Sequence, residues 1–130
     1  MQITRACDYA CRALMYLLKQ GSGSVETARV AQESDIPPVY LRKIFQSLSR
    51  AGIVRTSPGT GGGVALARPA DKITLKEIVE ALEGPITLSE CISRPETCKR
   101  SSTCTVRANL TTVQNKLTEE FASRRLSDLT

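Results

Sequence analysis

The chain has 130 residues, 41% of them hydrophobic and 24% charged, with a net charge of +5, five cysteines and no histidine. These totals fit one compact globular domain, exclude any histidine-ligated metal site, and leave no apolar run long enough to span a bilayer. Residues 1–70 hold nine Lys/Arg against four Asp/Glu and residues 71–130 hold nine against nine, so the positive excess lies wholly in the first half, as expected of a module that binds a polyanion.

In chain order, "TRACDYACRALMYLLKQ" places Ala6, Ala10, Ala13, Leu14 and Leu17 at helical spacing, with Thr4 as N-cap and Gly21 and Gly23 as the stop. Its segment "YACRALMYLL" carries Arg12 and lacks a cleavage pattern, so it reads as a helix and not a signal peptide, and the protein is expected in the cytoplasm. There five cysteines point to metal or redox chemistry and not to structural disulfides. "SVETARVAQESD" reads as a short helix halted by "DIPP", and Pro38 suits the first position of the next one.

That next helix, "PVYLRKIFQSLSRAG", repeats Leu41, Ile44, Phe45 and Leu48 as i, i+3, i+4, i+7. Its other face carries Val39, Arg42, Lys43, Gln46, Ser49 and Arg50, and Gly52 ends it. Helix, tight turn and a helix with a long-armed polar face form the helix-turn-helix plan. "IVRT" and "VALA" follow, two β-prone runs joined by the glycine-rich "SPGTGGG", which is the pattern of a wing. Arg42, Lys43 and Gln46 are candidates for base edges in the major groove, with Tyr40 and Ser49 nearer the phosphates. Thr60, Gly61 and Gly62 at the wing tip, helped by Arg55, are candidates for the backbone or minor groove. The alternative is a winged helix that serves only as a protein-interaction scaffold.

"TLKEIVEALEG" is a helix opened by a Thr74/Glu77 capping box and closed at Gly84-Pro85. The polar run 85–104 then carries Cys91, Cys98 and Cys104, and a last helix begins near Thr105. Zinc sites rely on Cys-x2-Cys pairs, which this run lacks; wide spacing suits a larger object such as an iron–sulfur cluster held by thiolates. Cys104 at a helix start faces free N–H groups, and Arg94, Lys99, Arg100 and Arg107 add positive charge that suits an anionic cluster. In the last helix Val106, Leu110, Val113 and Leu117 make a narrow seam, fitted to pairing with a second copy.

The fold expected is therefore mainly α with a small β-hairpin. Residues 1–84 form a winged helix-turn-helix DNA-binding domain, 85–104 a cysteine-rich cluster-binding loop, and 105–130 a dimerisation helix and tail. "ITRACDYACRAL", "IPPVYLRKIFQSL", "AGIVRTSPGTGGGVALAR" and the cysteine triplet resemble the iron–sulfur winged-helix transcription regulators typified by IscR and NsrR, the Rrf-two family. The resemblance implies a homodimer on double-stranded operator DNA, acting mostly as a repressor, with affinity set by a cluster that senses nitric oxide, redox stress or cluster supply. Arg107 stands where IscR-like members place a histidine ligand. The NsrR-like branch instead implies that Asp8, contributed across the dimer, completes the cluster, with Arg12 one turn on to orient it. Three cysteines and a carboxylate suit [4Fe-4S] better than [2Fe-2S]. Cys11 and Cys7 are rival ligands, or plain packing residues.

Two other readings compete. An enzyme or electron carrier is disfavoured by the absence of a nucleotide-binding glycine motif and of paired catalytic carboxylates, and has no use for a basic recognition helix. A metal-free thiol switch through Cys91, Cys98 and Cys104 is the main rival.

Overall fold

A computed structural model describes residues 2–59 and 62–130. The amino-terminal helix α1 (Arg5–Gln20) is the post around which the others pack. Thr4 caps it, accepting a hydrogen bond from the Cys7 N–H at 3.3 Å. Its inward face is Cys7, Ala10, Ala13, Leu14 and Leu17. The expected face had Ala6 in place of Cys7; Ala6 is only half-buried, because the stripe rotates to bring Cys7 against the following half of the chain.

Helices α2 (Thr27–Glu33) and α3 (Pro38–Arg50) are joined by the Ser34–Pro37 turn, in which Asp35 takes a left-handed conformation at φ 54°. Pro38 occupies the first turn of α3, where its missing N–H costs nothing. Leu41, Ile44, Phe45 and Leu48 are all buried, each contributing about 1.5–3 kcal/mol on leaving water. They pack on α1 and on Val30 and Ala31 of α2.

Strands β1 (Val54–Ser57) and β2 (Gly63–Leu66) pair antiparallel, Val54 opposite Leu66 and Ser57 opposite Gly63. A third rung, not expected beforehand, extends the hairpin. Val25, within the stretch expected to be helical, lies extended and exchanges two hydrogen bonds with Val64, at 2.9 and 2.8 Å. Gly63 permits this approach: a Cβ there would sit 2.3 Å from the Val25 carbonyl oxygen.

Helix α4 (Leu75–Glu83) opens with the expected capping box. Beyond it lie a short helix α5 (Glu90–Ser93), a single 3-10 turn (Pro95–Thr97) and the long helix α6 (Thr105–Ser123). The chain then turns back. Leu126, at the start of a terminal 3-10 turn (Leu126–Leu129), is fully buried in the core formed by α1 and α3. Its N–H donates to the Ile73 carbonyl at 2.8 Å, and the Leu75 N–H donates to the Arg124 carbonyl at 2.7 Å. The tail therefore belongs to the same core as residues 1–84.

Candidate functional site

The outward face of α3 carries the expected residues. Val39, Tyr40, Arg42, Lys43, Gln46 and Arg50 are exposed and Ser49 is half-buried. Val39 and Tyr40 are large apolar groups left 62% and 52% in solvent in the first turn. Tyr40 meets the ring of Tyr9 edge-on at 6.1 Å, and the Arg12 guanidinium lies over the other ring at 5.3 Å from its centre. Arg12 also donates to the Ser34 carbonyl at 3.2 Å and to the Asp8 carboxylate at 2.9 Å. One arginine thus ties Asp8 to the turn that precedes α3.

Arg42, Gln46, Ser49 and Arg50 line a recess of ≈ 410 Å³ together with Phe45, Thr27 and Thr56. Thr27 and Thr56 were not among the residues picked from sequence. Neighbouring residues of a strand point to opposite faces, so Thr56 joins the α3 side while Arg55 does not. Arg55 lines a separate recess with Gly21, Ser22, Gly23 and Arg68. Which of Arg55 and Thr56 faces α3 depends on how β1 pairs with β2, and the local pattern "VRTS" does not settle it.

At the wing, Thr60 and Gly61 lie outside the described residues. Gly62 donates its N–H to the Gly59 carbonyl at 3.0 Å, and a Cβ on it would meet the Ser57 and Pro58 carbonyl oxygens. Its missing side chain thus serves the hairpin turn itself. Arg68, at the foot of the wing, is held within the protein: it donates to the Gly52 carbonyl at 3.2 Å, the Lys72 carbonyl at 2.9 Å and the Glu77 carboxylate at 2.9 Å. Burial pushes the Glu77 carboxyl upward, but the hydrogen bonds from the Thr74 backbone and from Arg68 outweigh it and hold the group below its ordinary value.

The cysteine loop sits at the root of α6. Cys104 is the N-cap, and its sulfur accepts from the Arg107 N–H at 3.4 Å. The Arg107 side chain donates to the Cys91 carbonyl at 2.9 Å, and the Cys91 thiol lies 3.2 Å from the Ser89 hydroxyl. Arg107 therefore gathers the Cys91 and Cys104 segments at the positive end of α6. Cys98 is exposed in the connecting turn, and all three thiols are free. Thiolates are the ligands that iron–sulfur clusters take, so the donor chemistry fits. Among the described residues, however, no three histidine, cysteine, aspartate or glutamate side chains converge to hold a metal ion.

Asp8 is exposed on α1, beside Arg12 and turned away from the core. Cys7 lies on the inward face against Val79 and Ile86, whereas Cys11 is half-buried at the edge of the main core, three residues from Asp8 on the flank between the two faces. The neighbouring Cys11 thiol, then burial, pushes Cys7 well above its ordinary pKa; the Cys7 thiol lowers Cys11 against the opposing effect of burial.

A helix-turn-helix whose second helix presents cationic and amide side chains, followed by a β-hairpin and a long C-terminal helix, defines a winged-helix DNA-binding protein. Residues 3–130 match the family described as Rrf2, iron-dependent transcriptional regulator, and the chain belongs to that family of DNA-binding transcription regulators. It is 34% identical over 130 residues to the protein aau3 of Rhizobium meliloti (strain 1021), covering 99% of this chain and 84% of that one. Among solved structures it resembles CymR (YrzC), the global cysteine regulator of B. subtilis, with a TM-score of 0.76, 25% identity, and 99% and 95% of the two chains covered. The IscR of T. potens shares the fold, with a TM-score of 0.76 at 22% identity over 99% of this chain and 85% of that one. No helix among the described residues is long and apolar enough to cross a membrane.

Proposed function

We propose that this chain is a homodimeric, cytoplasmic repressor that binds operator DNA through α3 and the wing, and whose affinity is set by an iron–sulfur cluster on Cys91, Cys98 and Cys104. The observation that carries the reading is Arg107, which joins the Cys91 carbonyl to the first turn of α6 while Cys104 caps it. Two of the thiols are thereby tied to the helix expected to pair with a second copy.

In this reading Arg42, Lys43 and Gln46 meet base edges, and Val39, Tyr40, Ser49 and Arg50 meet sugar and phosphate around them. Thr60, Gly61 and Gly62 carry the wing along the backbone, and Arg55 contributes charge from the hairpin's far face. Cys91, Cys98 and Cys104 supply three thiolates, and Asp8, across the dimer, supplies a carboxylate, which favours [4Fe-4S] over [2Fe-2S]. When bound, such a cluster supplies a chemistry responsive to nitric oxide, oxidants or iron supply. Asp8 cannot serve it and keep its full ion pair with Arg12, so engagement of Asp8 loosens Arg12 from its present partners. Arg12 also grips the Ser34 carbonyl and covers Tyr9, so that loosening reaches the turn ahead of α3.

The test is iron and sulfide counting on anaerobically purified protein, joined to operator binding with and without the cluster. Cys91→Ala, Cys98→Ala and Cys104→Ala should each lose iron and the difference in affinity. Equal affinity of loaded and cluster-free protein would refute the proposal.

The unconverged thiols support a second reading, a metal-free switch in which Cys91, Cys98 and Cys104 respond to oxidation by forming disulfides. Iron-free protein whose DNA binding still responds to peroxide and to thiol reductant identifies this case.

A further inference from the structure

One apolar side chain of α3 faces solvent on the cationic side of the helix. Val39 is 62% exposed and packs into neither apolar cluster of the described residues. Tyr40, its neighbour, is also exposed, but the Tyr9 ring meets it edge-on. Val39, Arg42, Lys43 and Gln46 stand at i, i+3, i+4 and i+7, so they share one stripe, and all four are exposed. Val39 is thus the N-terminal member of the row assigned to base edges.

Sugar atoms give Val39 a surface to touch, but phosphates give it none, since it carries no atom that hydrogen-bonds an anion. A base suits it better. In a recognition helix the N-terminal residues are those that reach base edges. The major groove presents one apolar group there, the C5 methyl of thymine. A β-branched valine in a helix keeps one χ1 rotamer in about nine cases of ten, so its methyls are posed before DNA arrives. Pro37 and Pro38 stiffen the backbone just ahead, with Pro37 at φ −56°. A protein partner is the poorer match. Helix α3 carries Arg42, Lys43 and Arg50 and no acidic residue, so its surface calls for a polyanion around whatever Val39 touches.

We propose that Val39 reads a thymine in each half-site through its C5 methyl, as the apolar member of a stripe that otherwise reads by hydrogen bonds. This rests on the placement of α3 in the major groove, and it moves Val39 from the margin of that contact onto a base. A cytosine at the same place presents an amino group and no methyl. Val39 therefore selects T over C beside the bases met by Arg42 and Lys43.

The test uses the full chain, purified anaerobically, and a duplex that it selects from a random pool. Each thymine in turn is replaced by uracil, which removes the methyl and keeps every hydrogen-bonding group. At one position in each half-site the parent should lose about fourfold in affinity, equivalent to about 0.8 kcal/mol for one buried carbon. Val39→Ala should bind the thymine and uracil duplexes equally at that position, and Val39→Ile should keep the difference. A far-UV spectrum like the parent's confirms the fold of each variant. Arg42→Ala tests the placement of α3 separately: a loss of binding there, with no methyl dependence at any position, keeps α3 in the groove and overturns the thymine contact. A parent indifferent to every replacement, or a Val39→Ala that retains the fourfold loss, overturns the proposal. So does a Val39→Ala that matches the parent on every duplex, which would leave Val39 to a protein contact.

Discussion

The guanidinium of Arg68 reaches the Gly52 carbonyl just beyond α3, the Lys72 carbonyl ahead of α4, and the Glu77 carboxylate in the capping box. Removing it leaves three partners to water at a partly exposed site, so Arg68→Ala should cost about 1–2 kcal/mol in urea denaturation. Glu77 adds a pH dependence whose sign follows from its lowered pKa. Its stabilisation is present above the unfolded carboxyl value of about 4.3 and is lost as pH falls through the lower folded value. Urea midpoints measured from pH 6 to 3 should fall more steeply for the parent than for Glu77→Gln. Asp8 is a contrasting case. Its pair with Arg12 is solvent-exposed and worth under about 1 kcal/mol, so Asp8→Ala should leave the melting temperature nearly unchanged while lowering iron retention. A large loss of stability with full iron content would count against the ligand role.

At the scale of elements, the proposed function divides the work between α3 and the wing. Arg42→Ala and Gln46→Ala should each weaken operator binding by about 1–3 kcal/mol and relax base preference where the side chain reads. Arg55, on the far face of the hairpin, should weaken binding evenly across sequences, which salt-titrated anisotropy on operator and random duplex separates. Gly63→Ala should destabilise the fold by about 1–3 kcal/mol through its clash with the Val25 carbonyl. Much of this level was legible beforehand. The i, i+3, i+4, i+7 repeat of α3, the Pro38 start and the Thr74/Glu77 box each encode their structure within one or two turns of chain. Val25 was not legible, because its partner Val64 lies far along the sequence and its own neighbours read as helix. Thr56 was missed for a related reason: the side a strand residue faces depends on pairing, which local pattern does not fix. The thiol loop was legible as a set of residues and not as a geometry, since nothing between Cys91 and Cys104 has an apolar period to hold it.

For the whole molecule, the seam expected along α6 is divided. Leu117 turns inward with Phe121 onto Leu75 of the same chain, whereas Val106 and Val113 remain 64% and 54% exposed. Two valines seven residues apart on one stripe are the part left for a second copy. Val113→Glu should therefore shift sedimentation from dimer to monomer at micromolar concentration and weaken binding to a two-half-site operator far more than to a single half-site. An unchanged dimer would move the interface elsewhere.

The buried Leu126 has a mechanical consequence. Helix α6 is clamped at both ends, by Arg107 at the thiol end and by the tail's insertion beside Ile73 at the other, over roughly 28 Å at 1.5 Å per residue. A beam fixed at both supports has no slack to absorb displacement. If the proposed function holds, movement imposed at the thiol end would be carried to the stretch beside Lys72, which Arg68 joins to the Gly52 carbonyl just beyond α3.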